Sequence, residues 1–141
     1  MTDLVCTALI GIGATAAMDV WAIVRKFLFR IPAPHYGLVG RWLGHMTHGC
    51  FRHDAIAKAV PIRHELFIGW TAHYLIGIAF AALLIAGWGF EWLGHPTLVP
   101  AVIVGIATVT APFLLMQPGM GAGIAASRTA RPAAARVQSL I

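Results

Sequence analysis

Charge is scarce in this sequence. Of its 141 residues only 11% are Asp, Glu, Lys or Arg, five acids against ten bases, while 59% are hydrophobic. The mean hydropathy is +0.79. A soluble domain of this size could not keep so much apolar surface from water, so a soluble globular fold is excluded. Cysteine is nearly absent as well. Cys6 and Cys50 are the two that occur, and the topology derived below puts them on opposite sides of a bilayer, which argues against an intramolecular disulfide. Cys6 also lies too close to Met1 to end a lipoprotein signal. Motifs for familiar chemistry are missing too: there is no nucleophile elbow, phosphate loop or dinucleotide fingerprint. Gly11-Ile12-Gly13 sits inside an apolar run and follows no strand, so it carries no nucleotide signal.

What the chain does have is three long apolar runs, Leu4–Val24, Leu66–Phe90 and Thr97–Gln117. A bilayer core about 30 Å thick needs roughly 20 helical residues to cross it, and each run meets that length. The fold class expected is all-α: an integral membrane protein with three transmembrane helices in a single membrane domain over residues 1–141. A loop (25–65) joins the first two spans, and a tail (118–141) follows the third.

The bases set the orientation. Arg25, Lys26, Arg30, Arg41, Arg52, Lys58 and Arg63 lie between the first and second runs, and Arg128, Arg131 and Arg136 follow the third. Neither the segment before the first run nor the one between the second and third holds any Lys or Arg. Positive residues near spans resist translocation and mark the cytoplasmic side, so the N-terminus is expected outside and the C-terminus in the cytoplasm. The net charge of +5 then points to anionic lipid headgroups as partners and not to nucleic acid, since no basic fold motif accompanies it. Ala14-Thr15-Ala16 resembles a signal cleavage site. The leading Met1-Thr2-Asp3 is acidic, however, and the positive charges come after the run, the reverse of a secretory signal. The first run is therefore read as a retained span.

Within that frame the spans acquire features. Thr7, Gly11 and Thr15 recur at four-residue spacing, with Gly13 and Ala17 on a neighbouring strip. Small residues at this spacing let backbones approach, so this face is expected to pack on another span; a Gly/Ala-rich face toward lipid is the alternative. Trp70 near one end of the second run, and Trp88 and Trp92 near the other, suit the headgroup zone. Residues 87–96 read as a short external turn. Pro112 removes a backbone donor inside the third run and predicts a kink that faces protein. In the loop, Tyr36–Met46 is a candidate short helix at the interface.

Asp19 is the leading site candidate, because a carboxylate inside an apolar span is costly and must face protein or water. It lies roughly 7–8 Å from the inner end of its run, and His73 lies roughly 10 Å from the inner end of the next. Antiparallel helices bring the two to similar depth. A pair of this kind relays protons, binds metal or locks two helices together, and Thr71, Tyr74 and Gln117 are expected to extend it. In the loop, His45, His48, His53, Cys50 and Asp54 fall within ten residues, and His45, His48, His53 and Asp54 form a candidate metal site. The spacing matches no established zinc signature, and headgroup or backbone hydrogen bonding is the competing use. No complete catalytic constellation appears.

Several strings taken together are similar to one family. Gly11-x-Gly-Ala-Thr with Met18-Asp19-x-Trp21, Leu38-Val-Gly-Arg-Trp-Leu-Gly-His45-Met46, Gly69-Trp-x-x-His-Tyr74-x-x-Gly77, Pro112-Phe-x-x-x-Gln117-Pro118 and Ala125-Ala-Ser-Arg-Thr129 resemble the small bacterial inner-membrane proteins of the domain-of-unknown-function family numbered 2938. The resemblance covers almost the full chain. It implies a multi-span protein of the bacterial inner membrane without an established activity. It also implies a further apolar helix after Arg136–Leu140, where this chain ends; the expectation is a member lacking a fourth helix. The function expected is that of a structural or assembly component that packs with itself, as a homo-oligomer, or with a membrane partner. The alternative is a metal- or proton-handling transport protein centred on Asp19 and His73.

Overall fold

The computed structural model describes residues 2–129, and among them all regular structure is helical. Three helices are long and apolar enough to cross a membrane, Asp3–Phe29, Glu65–Trp88 and Leu98–Gly119. The expected start of another helix at Ala133–Ile141 lies outside the described residues.

Helix α1, Thr2–Phe29, runs 28 residues without a proline, a length of about 42 Å at helical rise. It ends where Arg30 takes a left-handed φ of 56°, the usual way to terminate a helix, ahead of Pro32 and Pro34, which cannot continue it. Helix α2, Tyr36–Met46, coincides with the short helix expected in the loop. Helix α3, Glu65–Trp88, follows His64 at φ 60° and stops at Gly89, whose φ is 79° and whose amide donates a hydrogen bond to the Ile85 carbonyl. The single turn α4, Glu91–Gly94, falls within the turn expected between the second and third runs.

Helix α5, Leu98–Ala111, carries Pro100 in its first turn, where no donor is lost. At Pro112 the helix widens into a five-residue π-helical stretch, Pro112–Met116, before α6, Gln117–Gly119. The proline lacks an N–H and its ring crowds the carbonyl one turn back, and widening relieves both. The kink expected at Pro112 therefore takes the form of a π-helical stretch. A tight loop then passes through Ala125 and Ala126 at φ 48° and 58°. Left-handed alanines persist only where surrounding structure over-determines them, and Ala126 is 2% exposed.

The residues group into two compact units. The first takes residues up to Pro34 together with Thr71–Ala107; the second takes His35–Trp70 and the chain from Thr108 onward. In the first, α1 and α3 meet along a seam of small residues. A Cβ added to Gly11 would come within 2.6 Å of the Ile78 Cα, and one added to Gly77 would strike the Thr15 hydroxyl. Thr7 and Thr15 are buried here, each hydroxyl donating to the carbonyl four residues earlier. The Thr7–Gly11–Thr15 strip thus packs as expected, whereas Gly13 and Ala17 are exposed.

In the second unit, α2 lies against the start of α3 backbone to backbone. Gly40 approaches the Glu65 carbonyl and Gly69 approaches that of Tyr36, while the Tyr36 and Trp70 rings sit 4.5 Å apart. The segment after Gly119 is sewn to the loop by the His53 amide on the Gly119 carbonyl at 2.8 Å and the Ile56 amide on that of Met120 at 3.0 Å.

Candidate functional site

The seam of the first unit leads to a polar contact. One α-helical turn beyond Thr15, Asp19 meets two donors from consecutive residues of α3. His73 Nε2 donates to Asp19 Oδ1 at 3.1 Å, and the Tyr74 hydroxyl donates to Oδ2 at 3.0 Å. The His73 and Tyr74 rings stand edge to face, 5.6 Å apart. The geometry follows from local sequence: antiparallel helices held close by Gly11 and Gly77 leave α3 side chains four positions earlier within reach of Asp19. The side chains of His73 and Asp19 remain 18% and 14% exposed. Both carboxylate oxygens therefore have a protein donor, and the rest of the chain does not cover the pair completely.

Chemically the arrangement can do two things. It satisfies a carboxylate among apolar side chains, which otherwise costs several kcal/mol per unsatisfied group. It also places a carboxylate, an imidazole and a phenol in one hydrogen-bonded group, through which a proton can be held or passed. Of the cluster expected from sequence, Asp19, His73 and Tyr74 come together. Thr71 is exposed. Gln117 opens α6 in the second unit, where its carbonyl accepts from the Ala122 amide at 2.8 Å.

The loop histidines are less concentrated than their spacing suggested. His45 Nε2 lies 3.0 Å from the Val60 carbonyl, and its ring is 4.9 Å from that of His53. His53 Nε2 in turn lies 3.5 Å from Cys50 Sγ. His48 turns back onto its own helix, with Nδ1 at 3.1 Å from the Thr47 hydroxyl and 3.2 Å from the Gly44 carbonyl. The structure thus joins His45, His53 and Cys50 in a chain of neighbours and takes His48 elsewhere. Among the described residues no three His, Cys, Asp or Glu side chains are grouped to hold a metal ion. Cys6 and Cys50 are both free thiols.

Two arginines carry more of the structure than sequence reasoning assigned them. Arg41 on α2 reaches Glu65 through Nε and Nη2, both at 2.8 Å, a bidentate pair. Its Nη1 meanwhile donates to the carbonyls of Ala57 and Ala59 at 3.2 and 3.1 Å, and more distantly to that of Ile56 at 3.4 Å. The hydrogen bond to Glu65 raises the Arg41 guanidinium above its ordinary pKa. Glu65 also accepts from the Ile62 amide at 3.1 Å. No spacing rule links positions 24 apart, so this clamp had no signal in the sequence. Arg25 is the second. It is only 6% exposed, with Nε and Nη1 buried and without a hydrogen-bond partner among the described residues. Extending the buried α1 strip of Thr7, Gly11 and Thr15 through Ala22 reaches Arg25, so the helical period did carry that signal.

No similar protein is found among curated sequences, and no similar fold among solved structures. A family model does match, over residues 8–141, and it takes in the helix seam, the Asp19 contact and the Arg41 clamp alike. The chain belongs to the family described as protein of unknown function (DUF2938).

Proposed function

We propose that this protein is a small multi-pass component of the bacterial inner membrane that works by packing, with further copies of itself or with a membrane partner, and not by catalysis. Its N-terminus lies outside, and its loop and C-terminal tail lie in the cytoplasm among anionic headgroups. The whole chain acts as one membrane domain. Support for the orientation comes from the bases, which cluster at 25–63 and 128–136 and leave the outer segments bare. The observation that carries the structural role is the Asp19 contact. A carboxylate whose two oxygens each take a donor from the neighbouring helix, directly beyond a glycine seam, is built as a fastener between two spans. The third long helix has only 6% of its most apolar stretch buried, which leaves its surface for lipid or for another helix.

A second reading is favoured by one feature of the same cluster. Because the rest of the chain does not fully cover His73 and Asp19, a proton donor or acceptor has room to approach them, and the group would then serve proton handling. The loop histidines His45, His48 and His53 with Asp54 give a metal-handling variant of this reading. It has less behind it, since only His45 and His53 of that set approach one another.

The test is made on the full chain in mild detergent and in proteoliposomes. A mass above that of the monomer by native mass spectrometry, with Asp19→Asn liposomes no less proton-permeable than wild type, supports the packing role. A strict monomer whose proton flux vanishes in Asp19→Asn overturns it in favour of proton handling. Stoichiometric metal that disappears on replacing His45 and His48 would instead establish the metal variant. Orientation is read with a membrane-impermeant thiol reagent in a Cys6→Ser background: Gly94→Cys reacts from outside intact cells, while Cys50 reacts only after permeabilisation.

A further inference from the structure

One feature of the second unit has no part in the helix seam or the proposed packing role. An open cleft of about 310 Å³ is lined by Arg52, Pro118, Gly123, Ile124, Ser127 and Arg128. We propose that this cleft is a binding site for a phosphate group, either the headgroup of an anionic phospholipid or a free phosphate compound.

The lining has the chemistry of an anion site. Two arginines and a serine line it, and among the described residues no Asp or Glu does. Arg52 and Arg128 are both exposed and, among the described residues, neither makes an ion pair or a side-chain hydrogen bond, in contrast to Arg41. Asp54, the acid nearest in sequence to Arg52, is outside the lining. Two like charges facing one cleft repel each other, and a shared anion reverses that repulsion. Guanidinium forks match the oxygens of a phosphate, and a serine hydroxyl supplies a further donor. The volume is several times the roughly 30 Å³ share of one water, so a tetrahedral anion with its ester group can enter.

The cleft is also held in shape. Arg52 and Arg128 come from chain segments 76 positions apart in the sequence. The main-chain bonds from His53 to Gly119 and from Ile56 to Met120 tie those segments together, and the Arg128 amide on the Ala122 carbonyl at 2.8 Å closes the loop. Gly121, at φ 93°, packs directly on the carbonyls of His53 and Asp54, where a side chain could not fit. The left-handed pair Ala125 and Ala126 sets the turn from which Ser127 and Arg128 project. Strain of this kind is often kept at sites where a ligand is clamped.

The experiment uses the full chain in nanodiscs and separates the two sources of phosphate. Inorganic phosphate is titrated into protein in phosphatidylcholine nanodiscs, with the arginine side-chain NMR signals as readout. In parallel, native mass spectrometry counts phosphatidylglycerol retained from mixed phosphatidylglycerol–phosphatidylcholine nanodiscs. The phosphate arm does not depend on the packing role. The variants are Arg52→Gln/Arg128→Gln and, as a control removing the same charge, Lys58→Gln/Arg63→Gln. Wild type and control are expected to bind one of the probes, with affinity about tenfold or more weaker in Arg52→Gln/Arg128→Gln, as loss of charge-assisted bonds implies. Arg52→Lys, which keeps the charge but not the fork, should fall between them and guards against misfolding of the double variant. Retention of lipid without a response to phosphate assigns the site to a headgroup, and a response to phosphate assigns it to a free anion. Absence of binding by wild type in both arms, or an equal loss in the two double variants, overturns the proposal.

Discussion

Asp19 and Glu65 each accept hydrogen bonds through both carboxylate oxygens, and they are held for different reasons. Asp19, in the first unit, takes donors from His73 and Tyr74, side chains of one neighbouring helix. Glu65, in the second, takes both arms of the Arg41 guanidinium, whose remaining nitrogen organises the carbonyls of Ile56, Ala57 and Ala59. The first arrangement supplements a contact that small residues already make. In the second, the side chain supplements sparse regular structure, since one arginine collects carbonyls around the single 3-10 turn Ile56–Lys58. The lesson is that a polar group between two long apolar helices refines their packing, whereas one beneath an irregular loop defines the loop.

That contrast can be broken by substitution, and the largest effect is expected at Arg41. Arg41→Ala leaves Glu65 without its bidentate partner and frees the carbonyls of Ile56, Ala57 and Ala59 at once. Residues 47–64 should then become susceptible to limited proteolysis and exchange their amides rapidly, while the Asp19 contact in the other unit stays intact. Arg41→Lys should not rescue it, because an ammonium cannot fork two carboxylate oxygens and reach the carbonyls together. Unchanged protection of the loop in Arg41→Ala would show that the backbone contacts at Gly40 and Gly69 suffice.

A smaller loss is expected at the seam. Gly11→Leu forces a side chain into the Ile78 backbone, and overpacking of this kind costs about 1–3 kcal/mol. Unfolding in a bilayer-mimetic detergent should show it, whereas Gly13→Leu on the exposed strip should be nearly silent. Equal effects at the two positions would mean that the strip through Thr7, Gly11 and Thr15 is not the contact that matters. Smaller again is Trp42→Phe, which removes the indole bond to the Phe51 carbonyl and should cost about 1 kcal/mol.

The same contrast explains which features could be read from the chain itself. The apolar runs and the packing strip on α1 follow from local period and composition, which the tertiary structure did not override, whereas Tyr36–Met46 is too short for its period to decide a helix. Asp19 stood out because a carboxylate amid hydrophobic residues has few places to go, and counting helical rise from the run ends was enough to find His73. Arg41 and Glu65 did not stand out, since a charged residue in a polar loop is ordinary and their pairing depends on how the loop closes. The histidine-rich stretch misled in part for a related reason. Closeness in sequence does not fix direction in a loop, and His48 turns onto Gly44 while His45 and His53 approach one another. Arg25 lies on the periodic strip, where the helical period and not its charge marks it as buried.

The central claim is that Asp19 and His73 are energetically coupled across α1 and α3. The most direct measurement is a double-mutant cycle with Asp19→Ala, His73→Ala and the double variant, followed by reversible unfolding in a bilayer. Hydrogen bonds between helices in membranes average about 0.6 kcal/mol and reach about 1.7, so a coupling energy within that range is predicted. Strict additivity of the two substitutions would contradict the account.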